Sequence, residues 1–178
     1  MSMPERVLMG LALYLAAAVV PVQAAQGPSL GVPLTPEQLS SIDLTVTPDG
    51  DGLPPGNGNA ATGAGVYAEH CQACHGVGGR GGPNDALTGG RDSLAGASPL
   101  KTVGSYWPYA TTLFDYVRRA MPYQAPGSLS ADEVYAVTAF LLFENGIIGE
   151  GDEMNAASLP AVTMPNRNGF RTRHAHGW

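Results

Sequence analysis

The residues best equipped for chemistry in this chain are Cys71-Gln72-Ala73-Cys74-His75. Two thiols three positions apart on a helical turn can each form a thioether to a vinyl group of one haem. The residue that follows, His75, is then placed to ligate the iron through a neutral imidazole nitrogen. C-x-x-C-H is the attachment pattern for c-type haem. The chain has only two cysteines, and both sit here. Other uses of the pair fit less well. A thioredoxin-like C-x-x-C would lie in a βαβ pattern rich in Val and Ile, whereas the flanks here are Gly, Ala and Pro. A structural zinc site wants a second ligand pair, and while His70 precedes the motif, His174 and His176 lie about a hundred residues on. A disulfide between the two cysteines would leave His75 without a role. The expected cofactor is therefore one covalently bound haem c, held by Cys71 and Cys74 with His75 on the metal.

A second axial ligand has to come from another element. Thr111 or Thr112 can cap a helix over about 112–119, with Asp115 in its first turn and Arg118 and Arg119 at its end. Leu113, Phe114 and Val117 form its inward stripe, and Met121-Pro122 stops it. A thioether on a loop just beyond a helix is the expected sixth ligand of a low-spin centre, where sulfur plus imidazole raises the potential relative to two nitrogens. Three of the six methionines lie at the extreme N-terminus, and Met154 and Met164 follow the last helix. Met121 sits between two helices that can hold it, and is the expected metal ligand.

The motif itself is expected at the C-terminal end of a helix over about 64–73, its buried side marked by Val66, Tyr67 and Cys71. Gly76 ends that helix. The run Gly78-Gly79-Arg80-Gly81-Gly82-Pro83 has little side-chain bulk and lets backbone approach a macrocycle closely. It follows no strand and lacks the Lys-Ser/Thr of a phosphate loop. Leu129-Ser130-Ala131-Asp132-Glu133-Val134 starts the final helix, with Ser130 and Glu133 as a capping box and Leu129 and Val134 as a hydrophobic staple. That helix should run to about Glu144, stop at Asn145-Gly146, and cross the first. Val134, Val137 and Leu141 line its inner side. Between the helices, Arg91 and Lys101 are candidates to meet haem propionates, a solvated surface charge being the equal alternative. Tyr106-Trp107-Pro108-Tyr109 is the densest aromatic cluster, with Trp107 and Tyr109 as candidates for the haem wall and ordinary core packing as the competing account.

Composition bounds the rest. The first six residues form a polar start with Arg6, Val7 to Val20 is apolar, and small residues surround Ala24, the pattern of a cleaved signal peptide over 1–24. An uncleaved anchor is the alternative, although an apolar run of about 14 residues is short of a span. Haem is attached to such motifs outside the cytoplasm, so periplasm is the expected compartment, with no membrane span after cleavage. The net charge of −6 argues against a nucleic-acid partner. With 24 Gly, 15 Pro and 44% hydrophobic residues, the chain suits long ordered loops around a cofactor. The expected organisation is an N-terminal extension over 25–59, a haem domain over 60–150 and a C-terminal extension over 151–178. In the first, Thr35-Pro36-Glu37-Gln38 starts a short helix to about Ile42, and Asp49 to Gly56 is successive turns without an EF-hand's terminal Glu. In the last, no periodicity is usable from Asn155 on, and Arg171, Arg173, His174 and His176 read as a solvated tail in preference to a metal site.

The order helix, C-x-x-C-H, Gly-rich loop, middle helix, Met-Pro and capped final helix resembles class I cytochrome c, over about residues 60–146. The resemblance implies an all-α fold around one haem. A narrower resemblance rests on Pro48-Asp49-Gly50-Asp51-Gly52-Leu53-Pro54-Pro55-Gly56, on Val103 through Pro122, on Asn145-Gly146-Ile147-Ile148-Gly149, and on Met164-Pro165-Asn166-Arg167-Asn168-Gly169-Phe170. Together these segments are similar to the cytochrome subunit of sulfur-oxidation (Sox) sulfane dehydrogenase and of related sulfite dehydrogenases. The resemblance implies a molybdenum-containing sulfite or sulfane dehydrogenase catalytic subunit as electron donor and a downstream cytochrome c as acceptor. Sox subunits carry a second haem domain, whereas this sequence has one C-x-x-C-H, which favours the single-haem sulfite-dehydrogenase type. The Met164-Pro165-Asn166 segment and the N-terminal wrap would be docking surface. No paired carboxylates or nucleophile–base set stands out, so the expected role is electron transfer without a catalytic centre of its own. A freestanding shuttle is the alternative, and a haem enzyme or gas sensor would need an open iron position, against which Met121 argues.

Overall fold

In the computed structural model, residues 30–171 are described. The expected signal peptide, and Arg173, His174 and His176, lie outside them. The chain divides into two units, 1–37 and 38–178. Of the first, residues 30–37 are described as exposed chain leading into helix α1, Pro36–Ile42, with its proline at the first helical position as expected.

The second unit is all-α apart from one two-residue ladder. Its elements are β1 (Asn57–Gly58), α2 (Ala60–His70), α3 (Gln72–His75), α4 (Ala110–Ala120), α5 (Ala131–Glu144) and β2 (Met154–Asn155). Helix α2 begins four residues before its expected start because Asn59 caps it. The Asn59 side chain accepts from the Thr62 amide at 3.0 Å, and Thr62 Oγ1 accepts from the Asn59 amide at 3.3 Å. That is a capping box built from Asn and Thr instead of the commoner Ser and Glu. The expected single helix is broken at Cys71, whose ψ of −36° pairs with a φ of −122°. The motif then continues as a separate turn, with the Cys74 and His75 amides both donating to the Cys71 carbonyl at 3.1 and 3.0 Å. Gly76, at φ 78°, closes it in the left-handed region that glycine enters without steric penalty.

Helix α5 follows its sequence signals closely. Glu133 Oε2 accepts from the Ser130 amide at 2.7 Å and Ser130 Oγ accepts from the Glu133 amide at 3.3 Å. Asn145-Gly146 ends the helix, with Gly146 at φ 65°. Val134, Val137 and Leu141 are buried as expected, and so are Tyr135, Ala139 and Leu142, so α5 is covered on several sides and forms the middle of the core.

Two packings hold the helices on α5. Against α2, a Cβ at Gly63 would collide with the Ala136 carbonyl oxygen, so the absence of that carbon lets the two backbones approach. Tyr67 and Phe140 then meet with ring centroids 4.8 Å apart. Against α4, Phe114 and Tyr135 meet at 4.4 Å. Helix α4 starts at Ala110 with no side-chain cap. Thr111, one of the expected caps, is buried and donates to the Pro48 carbonyl at 3.1 Å. Asp115 is not spent on the helix end either. It is 7% exposed, accepts from the Val46 amide at 3.1 Å and from Arg119 Nε at 3.0 Å, and so clasps the chain before β1 onto α4.

The segment after α5 is not a loose tail over its described length. Met154, Leu159 and Met164 are 4%, 0% and 1% exposed and belong to the same core cluster as Phe114 and Leu142. Residues 57–58 pair antiparallel with 154–155, Asn57 opposite Asn155 and Gly58 opposite Met154. Met164, expected on a docking surface, is therefore core, and Asn166 beside it donates to the Tyr106 carbonyl at 2.7 Å. Single apolar residues at irregular spacing carry no periodic signal, which is why burial here was not legible beforehand.

The crossing makes Gly63→Ala a test of close approach. Alanine is favoured over glycine in a helix by about 1 kcal/mol, but forcing a methyl into packed backbone costs about 1–3 kcal/mol. A net loss in denaturant midpoint is expected, and a net gain would show that the crossing relaxes freely. The capping box gives a pH dependence. Hydrogen bonds from the Ser130 hydroxyl and amide hold the Glu133 carboxyl below its usual range. Its folded-state value is depressed, so its contribution is complete above the ordinary carboxylate value and is lost as pH falls through the folded-state value. Stability measured down that acid limb should fall less steeply in Glu133→Gln than in the parent.

Candidate haem site

Cys71, Cys74, His75 and Met121, from two separate helices and the turns that end them, line one cavity of about 510 Å³. That volume lies in the range of cofactor and small-ligand sites, roughly 300–1,000 Å³. Its apolar walls come from Val103, Leu113, Val117, Val137 and Leu141, so α4 and α5 face it with the residues that also fill the core.

The α3 turn supplies three of the four functional groups. Cys71 and Cys74 are both free thiols, half-buried, with no disulfide between them. Burial, and then the neighbouring Cys74, push the Cys71 thiol up to about 11, which keeps it protonated near neutral pH. His75 Nδ1 lies 2.8 Å from the Asp85 carbonyl oxygen. A carbonyl can only accept, so Nδ1 carries the proton and Nε2 is the nitrogen available to a metal. The same loop is tied back on both sides of Asp85, Asn84 donating to the Cys74 carbonyl at 2.9 Å and Leu87 to the Gly79 carbonyl at 2.8 Å. Under the turn, Tyr67 donates its hydroxyl to the Gly76 carbonyl at 2.8 Å, and burial pushes that phenol up to about 12.

Met121 is the C-terminal cap of α4, its amide donating to the Val117 carbonyl at 3.0 Å. Its side chain is half-buried and packs against the core cluster. Met154 and Met164, the rival sulfurs, do not line the cavity. Two uncommitted thiols, an imidazole with its Nδ1 already occupied and a thioether in an apolar cleft form a donor set that fits a c-type haem. Cys71 and Cys74 would hold it covalently, and His75 and Met121 are the side chains able to ligate its iron.

The remaining expected contacts divide. Trp107 lines the cavity, its ring edge-on to Tyr116 at 5.7 Å. Lys101 also lines it, with Nζ 5.1 Å from the Tyr106 ring centroid. Arg91 and Tyr109 do not. Arg91 Nη2 donates to the Asn145 carbonyl at 3.0 Å, and Tyr109 lies under the Arg167 guanidinium, 4.3 Å from the ring centroid. Both are spent on loop and segment packing, an outcome set by tertiary neighbours. Sequence reasoning missed Tyr116, Tyr123, Gln124 and the Asp85 carbonyl. Tyr116 sits on α4 outside the stripe read as core, Tyr123 and Gln124 lie in the turn after Met121-Pro122, and a backbone carbonyl leaves no mark in a sequence.

Among the described residues, no helix is long and apolar enough to cross a membrane, and no group of three or more His, Cys, Asp or Glu is placed to hold a metal ion. Residues 58–141 match the family model described as cytochrome c oxidase, cbb3-type, subunit III. A comparison with curated protein sequences gives no match. Among solved structures, the chain is similar to one in the crystal structure of the sulfane dehydrogenase SoxCD from Paracoccus pantotrophus. The two are 42% identical with a TM-score of 0.77, and the likeness covers 82% of this chain and 72% of that one. The chain thus belongs to the class I c-type cytochromes, electron-transfer proteins that hold haem c covalently, and within them to the family of the sulfane dehydrogenase cytochrome subunit.

Proposed function

We propose that this protein is a periplasmic cytochrome with a single haem c, the electron-accepting subunit of a molybdenum-containing sulfite or sulfane dehydrogenase. The observation that carries the reading is the convergence of Cys71, Cys74, His75 and Met121 on one apolar cavity. The likeness to a SoxCD chain supports the choice of partner. The haem domain spans residues 60–150, preceded by a signal peptide over 1–24 and an extension over 25–59, and followed by an extension over 151–178. When bound, haem supplies a one-electron ferric/ferrous couple.

The chain's own residues set the properties of that couple. Cys71 and Cys74 would hold the macrocycle covalently. His75 would ligate its iron through Nε2, its ring orientation set by the Asp85 carbonyl. Met121 would supply a thioether ligand, a donor that favours the ferrous state. Val103, Leu113, Val117, Val137 and Leu141 exclude water from the cleft. Trp107 and Lys101, at its wall, would meet the macrocycle edge or its propionates, with Arg91 and Tyr109 supporting the loops behind them. No catalytic centre of its own is assigned to this chain. Substrate is oxidised on the partner, and electrons leave one at a time to a downstream cytochrome c.

Met121→Ala should open the sixth position, lower the reduction potential and admit exogenous cyanide or imidazole. If neither ligand binds the variant's iron, the assignment of Met121 is wrong. The function is tested by recovering the mature protein from its native periplasm and assaying for molybdenum and for sulfite- or thiosulfate-dependent haem reduction. A co-purifying molybdoprotein that reduces the haem supports the subunit reading and names the substrate. A cytochrome that comes down alone and stays oxidised would favour the freestanding electron shuttle.

A further inference from the structure

Asn145 makes an unusual set of contacts for the residue that ends a helix. Its Nδ2 donates to the Leu141 carbonyl at 2.8 Å, which is the local cap, and also to the Leu87 carbonyl at 3.2 Å. Its Oδ1 accepts from the Gly89 amide at 3.1 Å. One side chain thus grips the loop on either side of Thr88, 56 to 58 residues away in sequence. Its backbone carbonyl accepts from Arg91 of the same loop. Space for the amide is provided by Gly104, where a Cβ would stand against Asn145 Oδ1 and only 2.7 Å from its Cγ.

That grip bears on the site through two residues of chain. Leu87 is joined to Asp85, whose carbonyl accepts the Nδ1 proton of His75. On its near side this stretch is tied by Asn84 to the Cys74 carbonyl. On its far side it is held by Leu87, whose amide goes to Gly79 and whose carbonyl receives both the Val103 amide, at 3.1 Å, and Asn145 Nδ2. We infer that Asn145 is a positioning residue for the axial imidazole. By clamping Leu87 and Gly89 to the end of α5, it holds the Asp85 carbonyl against His75 Nδ1. A firm hydrogen bond at Nδ1 raises the basicity of the ligating nitrogen and stabilises the more highly charged metal. Loosening the clamp weakens that bond and favours the ferrous state. The role rests on His75 being an axial ligand.

The test uses the haem-loaded protein and five variants. Asn145→Ala removes the clamp, and Gly104→Ala keeps the asparagine but fills the space it needs. Each should shift the reduction potential upward and speed solvent exchange of the His75 Nδ1 proton. The two shifts should not add in the double variant, because both break the same contact. Ser130→Ala, which removes the capping box at the opposite end of α5, should lower stability and leave the potential where it was. If Asn145→Ala and Gly104→Ala lose stability with no change in potential or in Nδ1 exchange, Asn145 is a helix cap and nothing more. Additive shifts in the double variant would also overturn the proposal. A His75→Ala protein that keeps a six-coordinate low-spin spectrum would instead show that the ligand assignment had failed.

Discussion

The approach of α2 to α5 at Gly63 is the contact on which the rest of the molecule depends. A glycine lies where the Ala136 carbonyl leaves no room for a methyl group, and this sets the separation of the two helices. Gly58, just before α2, meets the same residue, so the strand pair and the helix crossing share one point of close approach. From this point α2 runs toward the thiols and α5 toward Asn145. The positions of the attachment turn and of the loop that supports His75 are thus referred to one crossing.

Around that crossing the chain divides its polar work between loops and its apolar work between helices. Helices α4 and α5 present Leu113, Val117, Val137 and Leu141 to both core and cavity, so the walls of the haem cleft are an extension of the hydrophobic core. The loop over 77–105 makes almost no regular structure, yet its backbone is tied by Thr88, Thr102, Ser105 and Asn145 through short side-chain hydrogen bonds. Burying Thr88 and residues 102–105 of this otherwise largely exposed loop is tolerable only because those polar groups find partners. The many glycines serve that arrangement, since little bulk separates loop backbone from the groups it must reach.

The segments on either side of the helices are part of the same core. Val46 is held by Asp115, Pro54 accepts from Tyr135, and Met154, Leu159 and Met164 fill space behind α4 and α5. Asp115 is a buried carboxylate with an arginine and a backbone amide as partners, which offsets the cost of taking it out of water. It ties the approach to β1 onto the helix that ends in Met121, so the flanking chain and Met121 share a support.

How much could be read in advance follows from how far each signal travels along the chain. The attachment motif, the proline after Met121, the Ser130–Glu133 box and the Asn145-Gly146 stop are local, with both partners within a few residues, and the structure places each element accordingly. The burial of Met154 and Met164, the departure of Arg91 and Tyr109 from the cavity and the double use of Asn145 depend on partners dozens of residues away. Spacing alone cannot encode those. By itself the sequence determined which side chains can hold a haem and the approximate helices that carry them. Tertiary structure decided which of the outlying polar and aromatic residues reach the cleft, because a hydrogen-bonding group goes to whichever partner the packed backbones bring within about 3 Å.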